Sequence, residues 1–228
     1  MPTLLITGAN RGIGLEFVKQ YAQKGWQVIA TCRHPEKADA LQQLAHNYPH
    51  ILLHPLDVTH WERVEELSNE LKGEKIDMLI NNAGVISHAA LGHLSPHLFD
   101  SLYRANAVAP LLIARAFFPH LLLGDRKLIV SMTSRVASFS QDNTKGLIAY
   151  RMSKVALNMA MQEVAQEFAA SGVHVLLLSP GFVKTDMGGK NAKLEVEDSV
   201  SCMRRTLEQP HRLKSGGFYD RNGESINW

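Results

Sequence analysis

Cysteine is almost missing from this chain of 228 residues: only Cys32 and Cys202 occur, in no metal-ligand spacing. The opening "MPTLLITGAN" carries neither a basic stretch nor a long apolar one, so a reducing, cytoplasmic setting is expected. An excess of one charge is lacking too. Twenty-four lysines and arginines face 22 aspartates and glutamates, a formal net charge of +2, with both signs interspersed. Neither a nucleic-acid arm nor a polybasic membrane segment fits that pattern, and neither partner is expected. The most apolar stretch, "AVAPLLIARAFFPHLLLG", is broken by Pro110, Arg115, Pro119 and His120 and supplies no continuous run of about 20 apolar residues; the protein is expected to be soluble. Eleven histidines are scattered without an H-E-x-x-H or similar cluster, so no metal is expected.

What is present is apolar and periodic. With 45% hydrophobic residues, residues 1–228 are expected to bury one core as one domain. Short runs rich in Val, Ile and Leu recur: "TLLITG", "QVIATC", "ILLHPLDV", "DMLINNAG", "KLIVSMTS" and "VHVLLLSPG". Between them, Gly14 to Lys24, Pro35 to Asn47, His60 to Lys72, Pro96 to Leu123 and Tyr150 to Ala170 carry apolar residues at three- and four-residue steps. Strand and helix thus alternate, the pattern of an α/β fold with a doubly wound parallel sheet between two helical layers. After position 182 the composition turns glycine- and charge-rich. A mobile loop over about 182–196 is expected, then a short helix and a seventh strand within "SGGFYDRNGESINW".

In such a sheet the ligand site lies beyond the carboxyl ends of the strands. The first junction, "LLITGANRGIGLEF", sets Gly8, Gly12 and Gly14 between strand and helix, where glycine permits a tight turn and close backbone approach to a pyrophosphate at the helix N-terminus. The G-x-x-x-G-x-G spacing is one residue longer than the usual dinucleotide fingerprint and lacks the GK[ST] of a P-loop. The second strand ends in "ATCRHPEK", offering Arg33 where an NAD site offers a carboxylate. A guanidinium suits a 2′-phosphate, and Arg11 could approach the same group, so NADP(H) is favoured over NAD(H). A plain glycine turn with two solvated arginines would use the same residues.

"AYRMSKVALNMA" puts Tyr150 four residues ahead of Lys154 near the start of a helix. Side chains at that separation share a face, and an ammonium there favours a phenolate. An ordinary exposed pair has the same spacing.

Together "TGANRGIG", "NNAG", "YRMSK" and "PGFVKTDM" resemble the short-chain dehydrogenase/reductase family over essentially the whole chain. "SRVASFSQDN" and "TDMGG" are similar to its subgroup of sniffer-type carbonyl reductases and C-factor cell-signalling proteins. The resemblance implies a Rossmann-type sheet of strand order 3-2-1-4-5-6-7. It implies Tyr150 as catalytic acid or base, Lys154 as the group that lowers its pKa, Ser134 as a second donor to the substrate oxygen, and Asn106 as holder of a water near the lysine. Ser138 is the alternative serine by its gap to the tyrosine; choosing Ser134 assigns "SQDNTKG" to a longer loop. The cofactor residues implied are Gly8, Asn10, Arg11, Gly12, Ile13, Gly14, Arg33, Asp57, Val58, Asn82, Ala83, Gly84, Tyr150, Lys154, Pro180, Gly181, Val183 and Thr185. The substrate implied is a small carbonyl compound or its alcohol, met by an apolar wall of Phe139, Leu147 and Phe182 and covered by loop 182–196. A homodimer or homotetramer through the fourth and fifth helices is implied. The C-factor likeness leaves open a signalling protein that binds the nucleotide with little turnover.

Overall fold

An apolar run buried on both faces leaves its backbone polar groups to be satisfied by neighbouring strands. A computed structural model describes residues 1–140 and 146–228. The runs become β1 (Thr3–Thr7), β2 (Gln27–Cys32), β3 (Ile51–Pro55), β4 (Met78–Asn81), β5 (Leu128–Met132), β6 (His174–Ser179) and β7 (Gly217–Asp220). Every neighbouring pair is parallel, in the order β3-β2-β1-β4-β5-β6-β7. The seventh strand lies in the tail where it was expected.

The helices are α1 (Gly12–Gln23), α2 (Asp39–Asn47), α3 (Trp61–Glu70), α4 (Pro96–Tyr103), α5 (Ala109–Leu123), α6 (Ile148–Glu167) and α7 (Val196–Glu208). Because successive strand side chains point to opposite faces, the sheet divides the core in two. Leu4, Ile6, Met78, Ile80, Leu128 and Val130 meet Phe17, Tyr21, Val200 and Met203 of α1 and α7. Leu5, Leu79 and Ile129 meet Val64, Phe117 and Met161 of α3, α5 and α6. Each such side chain contributes about 1.5–3 kcal/mol by leaving water. The result is the three-layer Rossmann arrangement.

Three departures from simple periodicity matter. Pro35 to Asn47 is two elements, a 3-10 turn Pro35–Lys37 and α2, because Ala38 leaves the helical region (φ −104°, ψ 67°) and buries its methyl group. Pro96 to Leu123 starts as expected, with Ser95 Oγ accepting from Leu98 N at 3.3 Å, but α4 and α5 are joined by a π-helical turn, Arg104–Val108. Half of the most apolar window of this stretch is inside the protein, where Ile113, Phe117 and Leu121 pack on the sheet. Finally, α6 begins just after Leu147, a leucine in the left-handed region at φ 56°. The loop after β6 carries bonds of its own: Val183 bridges Leu194, and Gly189 N donates to Thr185 O at 2.8 Å.

Candidate active site

The sheet order reverses between β1 and β4, which opens a crevice beyond their carboxyl ends. Gly8 there has φ 66°, and a Cβ on it would stand 2.9 Å from Ala83 Cα. A Cβ on Gly14 would stand 2.2 Å from the Gly8 carbonyl oxygen and 2.6 Å from Asn82 Nδ2. No side chain fits at either place. Asn82 Nδ2 donates to the Thr7 and Gly8 carbonyls, both at 3.0 Å, and Thr7 Oγ1 accepts from the amides of Asn82 and Ala83, both at 3.1 Å. The "NNAG" segment therefore shapes the glycine turn. Thr7 was not singled out from the sequence; a hydroxyl directly before the first glycine was the available signal.

At the head of α1, Arg11 makes no capping bond through its side chain and the first turn holds no acidic residue. Free amides and the positive end of the helix dipole thus face the crevice, a cradle that fits a pyrophosphate. Asn10 and Arg11 are exposed beside it, Gly12 is half-buried under Thr185, and Ile13 packs into the core.

Along the same edge, Arg33 stands exposed just past β2. Past β3, burial pushes the Asp57 carboxyl up, but Thr59, donating to Oδ1 from N at 2.9 Å and Oγ1 at 2.7 Å, holds it below the usual range, helped by the charges of His60 and Arg33. Val58 beside it is buried. Arg11 stands exposed at the head of α1. Its guanidinium pairs with Asp186 of the loop after β6 at 2.6 Å, since an exposed acid lies within reach once that loop folds over Gly12.

The catalytic candidates gather beyond β5. Tyr150 and Lys154 lie one turn apart on α6, both buried, with Lys154 Nζ 5.9 Å from the phenol ring centre and donating to Met132 O at 2.8 Å. Burial pushes the phenol up to about 12, against a lowering hydrogen bond from Ser134. Burial pulls the lysine down to about 8. In the chain by itself, then, desolvation outweighs the lowering expected at Tyr150, because both groups lose water together. Ser134 sits just past the end of β5 and lowers the phenol's pKa; Ser138 donates to Asn227 O at 2.7 Å, in the tail. Part of the "SQDNTKG" loop, residues 141–145, lies outside the described residues.

Asn106 is fully buried in the π-helical turn. Its Oδ1 accepts from Val85 N and its Nδ2 donates to Val85 O, both at 2.8 Å, with a further bond to Ser153 Oγ at 2.9 Å. Its amide thus clamps the chain after β4 to α6. A Cβ on Gly84 would come 3.1 Å from Asn106 Oδ1 and 3.7 Å from Lys154 Nζ, so the three meet at one point.

On the far wall, Pro180 O accepts from Ser199 Oγ at 2.8 Å, Gly181 turns at φ 85°, Val183 is buried, and Thr185 Oγ1 accepts from Gly188 N at 3.1 Å. Phe182 and Phe139 are largely exposed. Leu147 packs with Leu102, Phe99 and Val136 around Tyr150. A buried phenol touching a hydroxyl, an ammonium one turn behind, and an anion cradle alongside make a site able to give or take a proton next to a bound nucleotide.

Known proteins are similar to this chain in sequence and fold. Residues 2–195 match the family model described as short chain dehydrogenase. The C-signal protein of Myxococcus xanthus is 38% identical over 154 residues, 67% of this chain and 93% of its own. The carbonyl reductase Sniffer of D. melanogaster aligns over all of both chains with a TM-score of 0.91 at 30% identity. The NADPH-bound carbonyl reductase from chicken fatty liver reaches 0.91 at 31%, over 100% of this chain and 99% of its own.

Proposed function

Because the chain belongs to the short-chain dehydrogenase family, we propose that it reduces an aldehyde or ketone to the alcohol, reversibly, using NADP(H), with Tyr150 as acid and base. The observation that carries this reading is Tyr150 and Lys154 buried one turn apart on α6, with the Ser134 hydroxyl just past the end of β5 lowering the phenol's pKa.

When bound, NADP(H) supplies or takes the hydride. The residues that would hold it are the turn Gly8, Asn10, Arg11, Gly12, Ile13 and Gly14, then Asp57, Val58, Asn82, Ala83 and Gly84, with Pro180, Gly181, Val183 and Thr185 opposite and Arg33 toward a 2′-phosphate. Tyr150 gives its proton to the substrate oxygen, and Ser134 stabilises the charge that develops there. Burial favours the protonated phenol, which leaves it ready as an acid and favours reduction. The reverse reaction needs the phenolate, and the nearby Lys154 charge assists its formation. Asn106, by fixing Val85 and Ser153, keeps the space around Lys154 in shape for proton exchange.

Leu147, packed beside Tyr150, and the exposed apolar Phe139 and Phe182 favour hydrophobic carbonyl compounds as substrates. Val108, Leu111, Met152 and Met159, exposed on and next to α5 and α6, support assembly as a homodimer or homotetramer. The likeness to C-signal favours a second reading, a signalling protein that binds the nucleotide with little turnover. Following NADPH absorbance across a panel of aldehydes and ketones separates the two. Carbonyl-dependent loss of absorbance supports the enzyme; tight NADPH binding with no loss across the panel overturns it.

A further inference from the structure

The turn that carries Ser134 is tied to the catalytic helix by the residue that follows the tyrosine. Val136 N donates to Ser134 Oγ at 3.4 Å, which leaves the serine proton free to point at the phenol. The carbonyl of Val136 in turn accepts from Arg151 Nε at 2.8 Å, and Arg151 Nη2 donates to Ser138 O at 3.5 Å. Since Arg151 follows Tyr150 in the backbone, these contacts tie Ser134 through Val136 to α6 one residue from Tyr150, whose phenol pKa the Ser134 hydroxyl lowers.

Further ties lie at the two ends of that turn. Arg135 N donates to Ser179 Oγ at 3.0 Å, and Ser138 Oγ donates to Asn227 O at 2.7 Å. The middle, where Ser134 Oγ is held, is fastened by Arg151. A planar guanidinium suits this task because its donors are fixed in a fork that meets two carbonyls at once, which an ammonium on a flexible stem cannot copy.

We propose that Arg151 is a positioning residue for the reaction: its guanidinium holds the 135–138 turn against α6 so that the Ser134 hydroxyl stays aimed at Tyr150. The inference rests on the carbonyl-reductase reading above. Loss of the tether misdirects Ser134, and with it goes the hydrogen bond that lowers the phenol pKa.

The test uses the full chain with Arg151→Met and Arg151→Lys. In Arg151→Met, turnover falls about 10-fold, as a modest misplacement of a catalytic group should, while NADPH affinity by fluorescence titration is unchanged. The inflection in the pH profile of alcohol oxidation moves to higher pH, because the phenol has lost a lowering contact. Arg151→Lys recovers part of both. In a Ser134→Ala background the Arg151→Met change adds little, since the two act through one contact. Losses that simply add, or a wild-type inflection beside a lowered Tm, overturn the inference. Hydrogen exchange at the Val136 amide reads the tether without turnover: it speeds up in Arg151→Met, and unchanged exchange overturns the inference by itself. A wild-type protein that consumes no NADPH with any carbonyl would defeat the proposed function instead.

Discussion

At the glycine turn, the groups that shape the crevice are backbone and amides: Asn82 and Thr7 spend their side chains on the chain itself, and glycines stand where a Cβ would collide. Across the crevice, at α6, the work falls on side chains, and a phenol and an ammonium are buried together. The first region is indifferent to pH and intolerant of any added atom. The second tolerates a lost atom in shape but not in charge. Changes in the two halves should therefore separate binding from turnover.

The largest expected effect is in the second half. Tyr150→Phe lowers carbonyl reduction by about 100- to 10,000-fold, the loss expected for a positioned acid, while NADPH affinity stays near wild type; steady-state rates and fluorescence titration give the two numbers. Next comes Lys154→Met, read as stability against pH. The lysine has a native pKa of about 8 against 10.5 in the unfolded chain. Between those values the unfolded state holds more protons, so wild-type stability rises with pH there, by roughly 3 kcal/mol in all. Tyr150, at about 12 folded against 10.0 unfolded, acts oppositely and removes stability from pH 10 to 12. Lys154→Met should be more stable than wild type at pH 7 and lack the rise above pH 8, as denaturant titrations across pH will record.

Gly14→Ala reverses the pattern of Tyr150→Phe. Forcing a methyl against the Gly8 carbonyl costs about 1–3 kcal/mol, seen as weaker NADPH binding and a lower Tm, with turnover at saturating NADPH less affected. The smallest effect is at the rim. Arg33→Ala narrows the preference for NADPH over NADH about 10-fold, one charge-assisted contact's share, measured as the ratio of kcat/KM values.

The strands could be read from sequence because each is a short apolar run, and a buried parallel sheet requires such runs. Gly8, Gly14 and the Tyr150–Lys154 spacing were legible because local geometry fixes them. What stayed hidden depends on contacts between distant residues or on departures from regular periods. The π-helical turn at Arg104–Val108 adds one residue to a pattern that still looks helical. Asn106 meets Val85 and Ser153 across 21 and 47 residues, and Arg11 meets Asp186 across 175. A left-handed leucine at position 147 has no sequence signal, since leucine is disfavoured there. Nor does spacing reveal burial, which is why the rise at Tyr150 could not be anticipated from Lys154 alone.

The most direct test is the pH profile of NADP-linked alcohol oxidation in wild type and Tyr150→Phe. Wild type should show a rising limb whose inflection lies about two or more units below the phenol's value of about 12 in the chain alone, lowered by bound NADP together with the Lys154 charge. Tyr150→Phe should show no such limb. The same limb persisting in that variant would contradict Tyr150 as the base.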